Sequence, residues 1–170
     1  MSLVLTPKGP APVPVPHLKP IRDLFADLTG REIEISSGAE PVAVGGASGA
    51  VVGLYVDASL ETRAIVMFDL ELAAYSGAAL GLVPPAVAQD AVEARELPQT
   101  LYENCYEVLN IFASLFNLPN APHLKLYTAF GPDDELRPDV RELAVRTAPR
   151  DDITLEIGRY GTGRLSIVVR

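Results

Sequence analysis

Proline supplies no backbone N–H and fixes φ, so its distribution limits where helices and strands can run. Six of the 15 prolines lie in the first 20 residues, and the run Pro10-Ala11-Pro12-Val13-Pro14-Val15-Pro16 cannot sustain a helix or a sheet ladder. Residues 1–17 therefore read as an extended arm, a spacer or a tail laid along the surface, and residues 18–170 as a single folded domain. Further along, Pro84-Pro85, Pro98 and Leu118-Pro119 punctuate the chain.

Between these marks the hydrophobic periodicity changes type. Leu18, Ile21, Leu24, Phe25 and Leu28 recur at helical spacing up to the stop at Thr29-Gly30. Residues 31–36 alternate as a half-exposed strand, and Gly49–Val56 and Arg63–Phe68 follow as apolar strands. The Gly45–Gly49 stretch lacks a following Lys-Ser or Lys-Thr and opens a strand, so it reads as a flexible turn and not a phosphate-cradling loop. Asp69 is a plausible N-cap for a helix over 70–80, Pro85 starts a short helix to about Glu93, and Pro98 a longer one to about Asn117. The last third is expected to be four strands, at 124–130, 140–146, 153–159 and 165–169, with a hairpin turn at Tyr160-Gly161-Thr162-Gly163. The sum is an α+β plan with a largely antiparallel sheet and helices packed on it. Its order is loosely two copies of helix followed by strands, without a repeat at the level of residues.

Composition narrows the function classes. With 14 Lys and Arg against 22 Asp and Glu the net charge is −8 and the pI about 4.7, which removes the counterion-release drive toward nucleic acid and repels anionic lipid. A single cysteine, Cys105, cannot form an intramolecular disulfide or a cysteine-rich zinc site. The amino terminus lacks a basic segment followed by an apolar run, and the stretch from Leu72 to Ala88 is too polar to span a bilayer; a cytoplasmic protein is expected. His17 and His123 stand in loop contexts away from any nucleophile, and Asp133-Asp134-Glu135 and Asp151-Asp152 read as acidic turns without calcium-loop order. No metal or cofactor site is expected on this chain.

The helix over 98–117 is the informative element. Leu101, Cys105, Val108, Phe112, Leu115 and Phe116 share one side and form its core stripe, which makes Cys105 a small buried hydrophobe. Glu103, Glu107, Asn110, Ser114 and Asn117 follow at steps of four, three, four and three, within an arc of about 80° on the other side. Two carboxylates one turn apart repel, and Asn is a poor helix former, so stability alone would not select this stripe.

Glu107-Val108-Leu109-Asn110-Ile111 resembles the Glu-x-x-Asn signature of the CheC/CheX/FliY-type phosphatases, which dephosphorylate CheY-like response regulators in bacterial chemotaxis. Glu103 stands where that family has Asp or Ser, Ser114 where it commonly has Gly, and Pro132 one residue earlier than the family's proline. The run from Gly53-Leu54-Tyr55-Val56 through Ala64-Ile65-Val66-Met67-Phe68 to Ala73-Ala74-Tyr75 resembles the strands and helix that precede the motif. The resemblance implies a CheC/CheX-like domain with one such site, since residues 69–80 offer Asp69 and Glu71 but no Glu-x-x-Asn.

It further implies an aspartyl-phosphate phosphatase of two-component signalling whose partner is a phosphorylated CheY-like receiver domain. Asn110 would position the attacking water and Glu107 would anchor the receiver through its active-site Lys. Glu103, Ser114 and Asn117 would contact the partner, and Mg2+ would sit on the receiver. An amide suits the role, because its carbonyl accepts from water and it stays neutral at physiological pH. The alternative is a domain of the same fold that binds a receiver or dimerises without catalysis. A motor-switch or scaffold component with an additional domain is not expected in 170 residues. A homodimer through sheet edges is a further expectation, with the strand-rich carboxy terminus offering the edge.

Overall fold

The computed structural model describes residues 11–170; the first ten residues of the arm lie outside it. Helix α1 spans Leu18–Thr29, buries Ile21 and Phe25, and ends at Gly30, whose φ of 67° lets its N–H close on the Ala26 carbonyl. Strands β1 (Ile33–Ser37), β2 (Val51–Val56) and β3 (Thr62–Phe68) follow, then α2 (Leu70–Leu80), capped by the Asp69 carboxylate on the Leu72 N–H at 2.8 Å. Helices α3 (Pro85–Ala94) and α4 (Gln99–Phe112) lead through a 3₁₀ turn at Ala113–Phe116 to β4 (Lys125–Phe130). Helix α5 (Pro138–Ala144) and strands β5 (Arg150–Ile157) and β6 (Gly161–Val169) complete the chain.

The six strands form one antiparallel sheet in the order β1-β5-β6-β3-β2-β4. Every residue of β2 and β3 is buried, which requires cover on both faces. On one face α1, α2, α4 and the 3₁₀ turn pack Phe25, Ala73, Phe112 and Phe116 against Tyr55, Val66 and Phe68. On the other, α5, the segment leading into it and the segment after β1 lay Val42, Leu136, Val140 and Leu143 over Val52, Leu54, Ile65 and Met67. No helix among the described residues is long and apolar enough to cross a membrane.

Exchanging β1 with β4, β2 with β5 and β3 with β6 returns the same sheet order, and α1 and α4 each precede one three-strand half. The twofold arrangement is therefore topological, with no counterpart in the residues. Residues 11–17 have no regular structure, yet Val13 is buried in the helix-side core and the Arg63 guanidinium donates to the Ala11 carbonyl at 2.7 Å. This part of the arm lies on the body.

Three sequence-based expectations change. Residues 140–146 were expected as a strand and instead lie largely in α5, because Pro138 opens a helix and Val140, Leu143 and Ala144 bury at helical spacing. The hairpin turn is Gly158-Arg159-Tyr160, with Arg159 at φ 70°, and Gly161 and Gly163 belong to β6. A Cβ on Gly163 would stand 2.5 Å from the Leu72 nitrogen, so this glycine admits α2 to the sheet instead of making the turn. Of the carboxy-terminal strands, β5 and β6 are interior and β4 supplies the edge, with β1 at the opposite side of the sheet. The long helix stops being α-helical at Phe112, five residues before Asn117.

Candidate functional site on the fourth helix

Helix α4 is fixed on three sides. Toward α2, Gly77 has no room for a Cβ because the Leu101 carbonyl abuts it, and the Asn104 amide donates to the Gly77 carbonyl at 3.0 Å. Toward β4, the Tyr102 hydroxyl donates to the Ala129 carbonyl at 3.3 Å. Beneath, the buried Tyr55 hydroxyl donates to the Leu109 carbonyl, and its ring packs 5.2 Å from Phe116. Leu101, Cys105, Val108, Leu109 and Phe112 are fully or almost fully buried. Burial pushes the Cys105 thiol up to about 12, eased by the Ser76 hydroxyl, so it stays protonated and unreactive.

The outward stripe is as the spacing predicts for four of its five members. Glu103, Glu107, Asn110 and Ser114 are exposed. Among the described residues neither Glu107 nor Asn110 has a side-chain hydrogen bond or ion pair, while Glu103 accepts from the Gln99 amide at 3.3 Å. Asn117 is engaged in the fold: its carbonyl accepts from the Leu124 N–H at 2.8 Å and its amide donates to the Leu124 carbonyl at 3.3 Å. That pair of bonds closes the loop between α4 and β4, so Asn117 does not share the exposure of Glu103, Glu107, Asn110 and Ser114. The 3₁₀ turn also advances each residue by about 120° instead of 100°, which rotates Ser114 away from the ideal stripe.

Two residues of the site escaped the sequence reading. Tyr106, 36% exposed, flanks the pair, four residues before Asn110 and next to Glu107. A helical wheel places it beside Asn110, so the signal was present; an aromatic side chain next to a polar stripe reads as core until exposure is known. Tyr55 lies on β2, 54 residues from the carbonyl it holds, and no local pattern could join them.

The site is an exposed helix face and not a pocket. A cavity of about 630 Å3 is lined by Pro12, Thr62, Arg63, Arg137 and Asp139, and another of about 580 Å3 by residues of the 41–44 and 144–147 segments, with no residue of α4 in either. A small substrate would need such concavity, whereas an exposed helix suits the surface of another protein. No group of three or more His, Cys, Asp and Glu that could hold a metal occurs among the described residues. Asp151 and Asp152, expected as a turn, lie in β5, where Asp152 is clamped by Arg150 and the Ser166 hydroxyl.

No family model matches this sequence, and no curated protein matches it. Among solved structures, it resembles a chain of the CheX–CheY–BeF3–Mg2+ complex from Borrelia burgdorferi, with 16% identity over 87% of this chain and 91% of that one and a TM-score of 0.51. The chain adopts the CheX-type fold. The FliM middle domain from H. pylori aligns with 8% identity over 89% of this chain and 83% of that one, with a TM-score of 0.49. A CheC-like chemotactic protein from Shewanella oneidensis aligns with 10% identity over 90% and 92%, with a TM-score of 0.44. Within the CheX-type frame, the topological counterpart of α4 is α1 and not α2. Helix α1 contains neither Glu nor Asn. Matching buried Ile21 and Phe25 to Cys105 and Leu109 sets Asp23 against Glu107 and Ala26 against Asn110, and Asp23 is paired with Lys19 at 2.7 Å.

Proposed function

We propose that this chain hydrolyses the aspartyl phosphate of a CheY-like receiver domain, with α4 laid across the phosphorylation pocket. The observation that carries the reading is the exposed Glu107 and Asn110, one turn apart on a helix bonded to the body on three sides and without side-chain partners of their own among the described residues. A protein complex containing CheX, CheY, BeF3 and Mg2+ includes a chain of this fold, which supports a receiver as the partner.

In the reaction, a water attacks phosphorus in line. The water O–P bond forms, the bond to the aspartyl oxygen breaks, and the products are inorganic phosphate and the receiver's free carboxylate. Asn110 accepts from the water through its amide oxygen and holds it on the attack line, and positioning of this kind accounts for most of what a protein can add. Glu107 pairs with the receiver's Lys, a charge-assisted contact that registers the helix over the phosphoryl group. Glu103 and Ser114 contact the receiver around this pair, and Tyr106 provides an aromatic anchor at its margin. Mg2+ is held by the receiver, where it neutralises charge on the phosphoryl oxygens.

The test follows the decay of a phosphorylated receiver from the same genome in Mg2+, alone, with wild-type protein and with Asn110→Ala. The expected result is acceleration by the wild type, loss of it in Asn110→Ala, and unchanged thermal melting, because the side chain is exposed. Receiver binding without acceleration would replace this reading with a non-catalytic receiver-binding domain.

A further inference from the structure

Asn110 sits where α4 changes character. The Ala113 N–H bonds the Asn110 carbonyl, three residues back, and the turn tightens to 3₁₀ through Phe116. The Leu109 carbonyl, the acceptor an unbroken α-helix would offer to Ala113, takes the Tyr55 hydroxyl. Tyr55 is fully buried and its ring is held by Phe116, which belongs to the same 3₁₀ turn. One side chain from β2 thus holds both the last α-helical carbonyl and the turn beyond it, on either side of Asn110.

Burial pushes the Tyr55 phenol well above its ordinary value, so it remains a donor at any physiological pH. A helix terminus otherwise frays and alternates between α and 3₁₀ hydrogen bonding, which would swing the side chain of the residue at the junction. Placing a water for in-line attack tolerates little such motion.

We propose that Tyr55 is a positioning residue for Asn110: its hydroxyl pins the junction between α-helix and 3₁₀ turn so that the Asn110 amide points out of α4 in one orientation. This inference rests on the phosphatase reading for its catalytic consequence, and on the geometry alone for its structural one.

The variant Tyr55→Phe keeps the ring against Phe116 and deletes only the hydroxyl. With a Mg2+-loaded phosphorylated receiver, kcat is expected to fall about tenfold, as for loss of an outer-shell partner, while KM stays within a factor of two. The control Phe25→Leu loosens the same core from α1 and leaves the Tyr55 hydroxyl and its Phe116 contact in place, and its kcat is expected to stay within a factor of two of wild type. Wild-type kcat in Tyr55→Phe, or equal losses in the two variants, would overturn the proposal.

A second readout needs no activity and separates this proposal from the failure of the phosphatase reading. In the free protein, Tyr55→Phe is expected to speed amide exchange at Ala113 and to shift or broaden the Asn110 side-chain amide signal, with Phe25→Leu leaving that signal in place. An unshifted Asn110 signal in Tyr55→Phe would sink the clamp whether or not the wild type is a phosphatase.

Discussion

Asn110 and Asn117 are seven residues apart on one predicted stripe, and they have different fates. The first is exposed and without a side-chain partner among the described residues; the second spends both ends of its amide on Leu124. Periodicity gives the same direction to both, and only the path of the chain after Phe116 brings Leu124 to one of them. Asp152 shows the same dependence on distant partners. Burial alone would raise its carboxyl, but the Arg150 guanidinium at 2.7 Å and the Ser166 hydroxyl at 2.6 Å outweigh this and hold it below the ordinary 3.8. A carboxyl depressed in the folded state stabilises the protein above the unfolded value, and that contribution disappears as pH falls through the folded one. Asp152→Asn, which leaves the half-buried Arg150 without its charge partner, is expected to cost about 1–2 kcal/mol at pH 7 in urea unfolding. The gap to wild type should close as the pH is taken below 3.8, and a pH-independent gap would refute the assignment.

The elements were legible where their periodicity was long. The twelve-residue α1, the capped α2 and the core stripe of α4 stand where their apolar spacing places them. The run at 140–146 failed because seven residues carry less than two helical turns, and Val140, Leu143, Ala144 and Val145 fit a short buried strand almost as well. What the sequence could not convey is how closely elements approach. Gly77 sits mid-helix, where glycine is normally unfavourable, and α4 uses the missing Cβ to press the Leu101 carbonyl against α2. Gly77→Ala is therefore expected to destabilise by about 2 kcal/mol, against the gain that alanine gives in an open helix. The midpoint of chemical denaturation measures this, and a more stable variant would show that α2 and α4 can separate at no cost.

At the scale of the whole molecule, the sheet order is symmetric under exchange of its halves, yet only one of the two helices that head those halves carries the Glu and Asn pair. The chain is expected to bind one receiver per protomer by titration calorimetry, and Glu107→Lys to abolish that binding. Two receivers per chain, or binding that survives Glu107→Lys, would move the site off α4. The α+β class, the lack of regular structure over residues 11–17 and the exposed stripe from Glu103 to Ser114 follow from the sequence by itself, because proline geometry and helical periodicity are local properties of the chain. Only the tertiary structure decided that α1 is the partner of α4, that β5 and β6 are interior, that Asn117 closes a loop and that Tyr55 stands beneath Asn110. Each of these joins residues through strand pairing or a buried hydrogen bond formed when the layers close, and the spacing of residues along a single element carries no record of which other element will cover it.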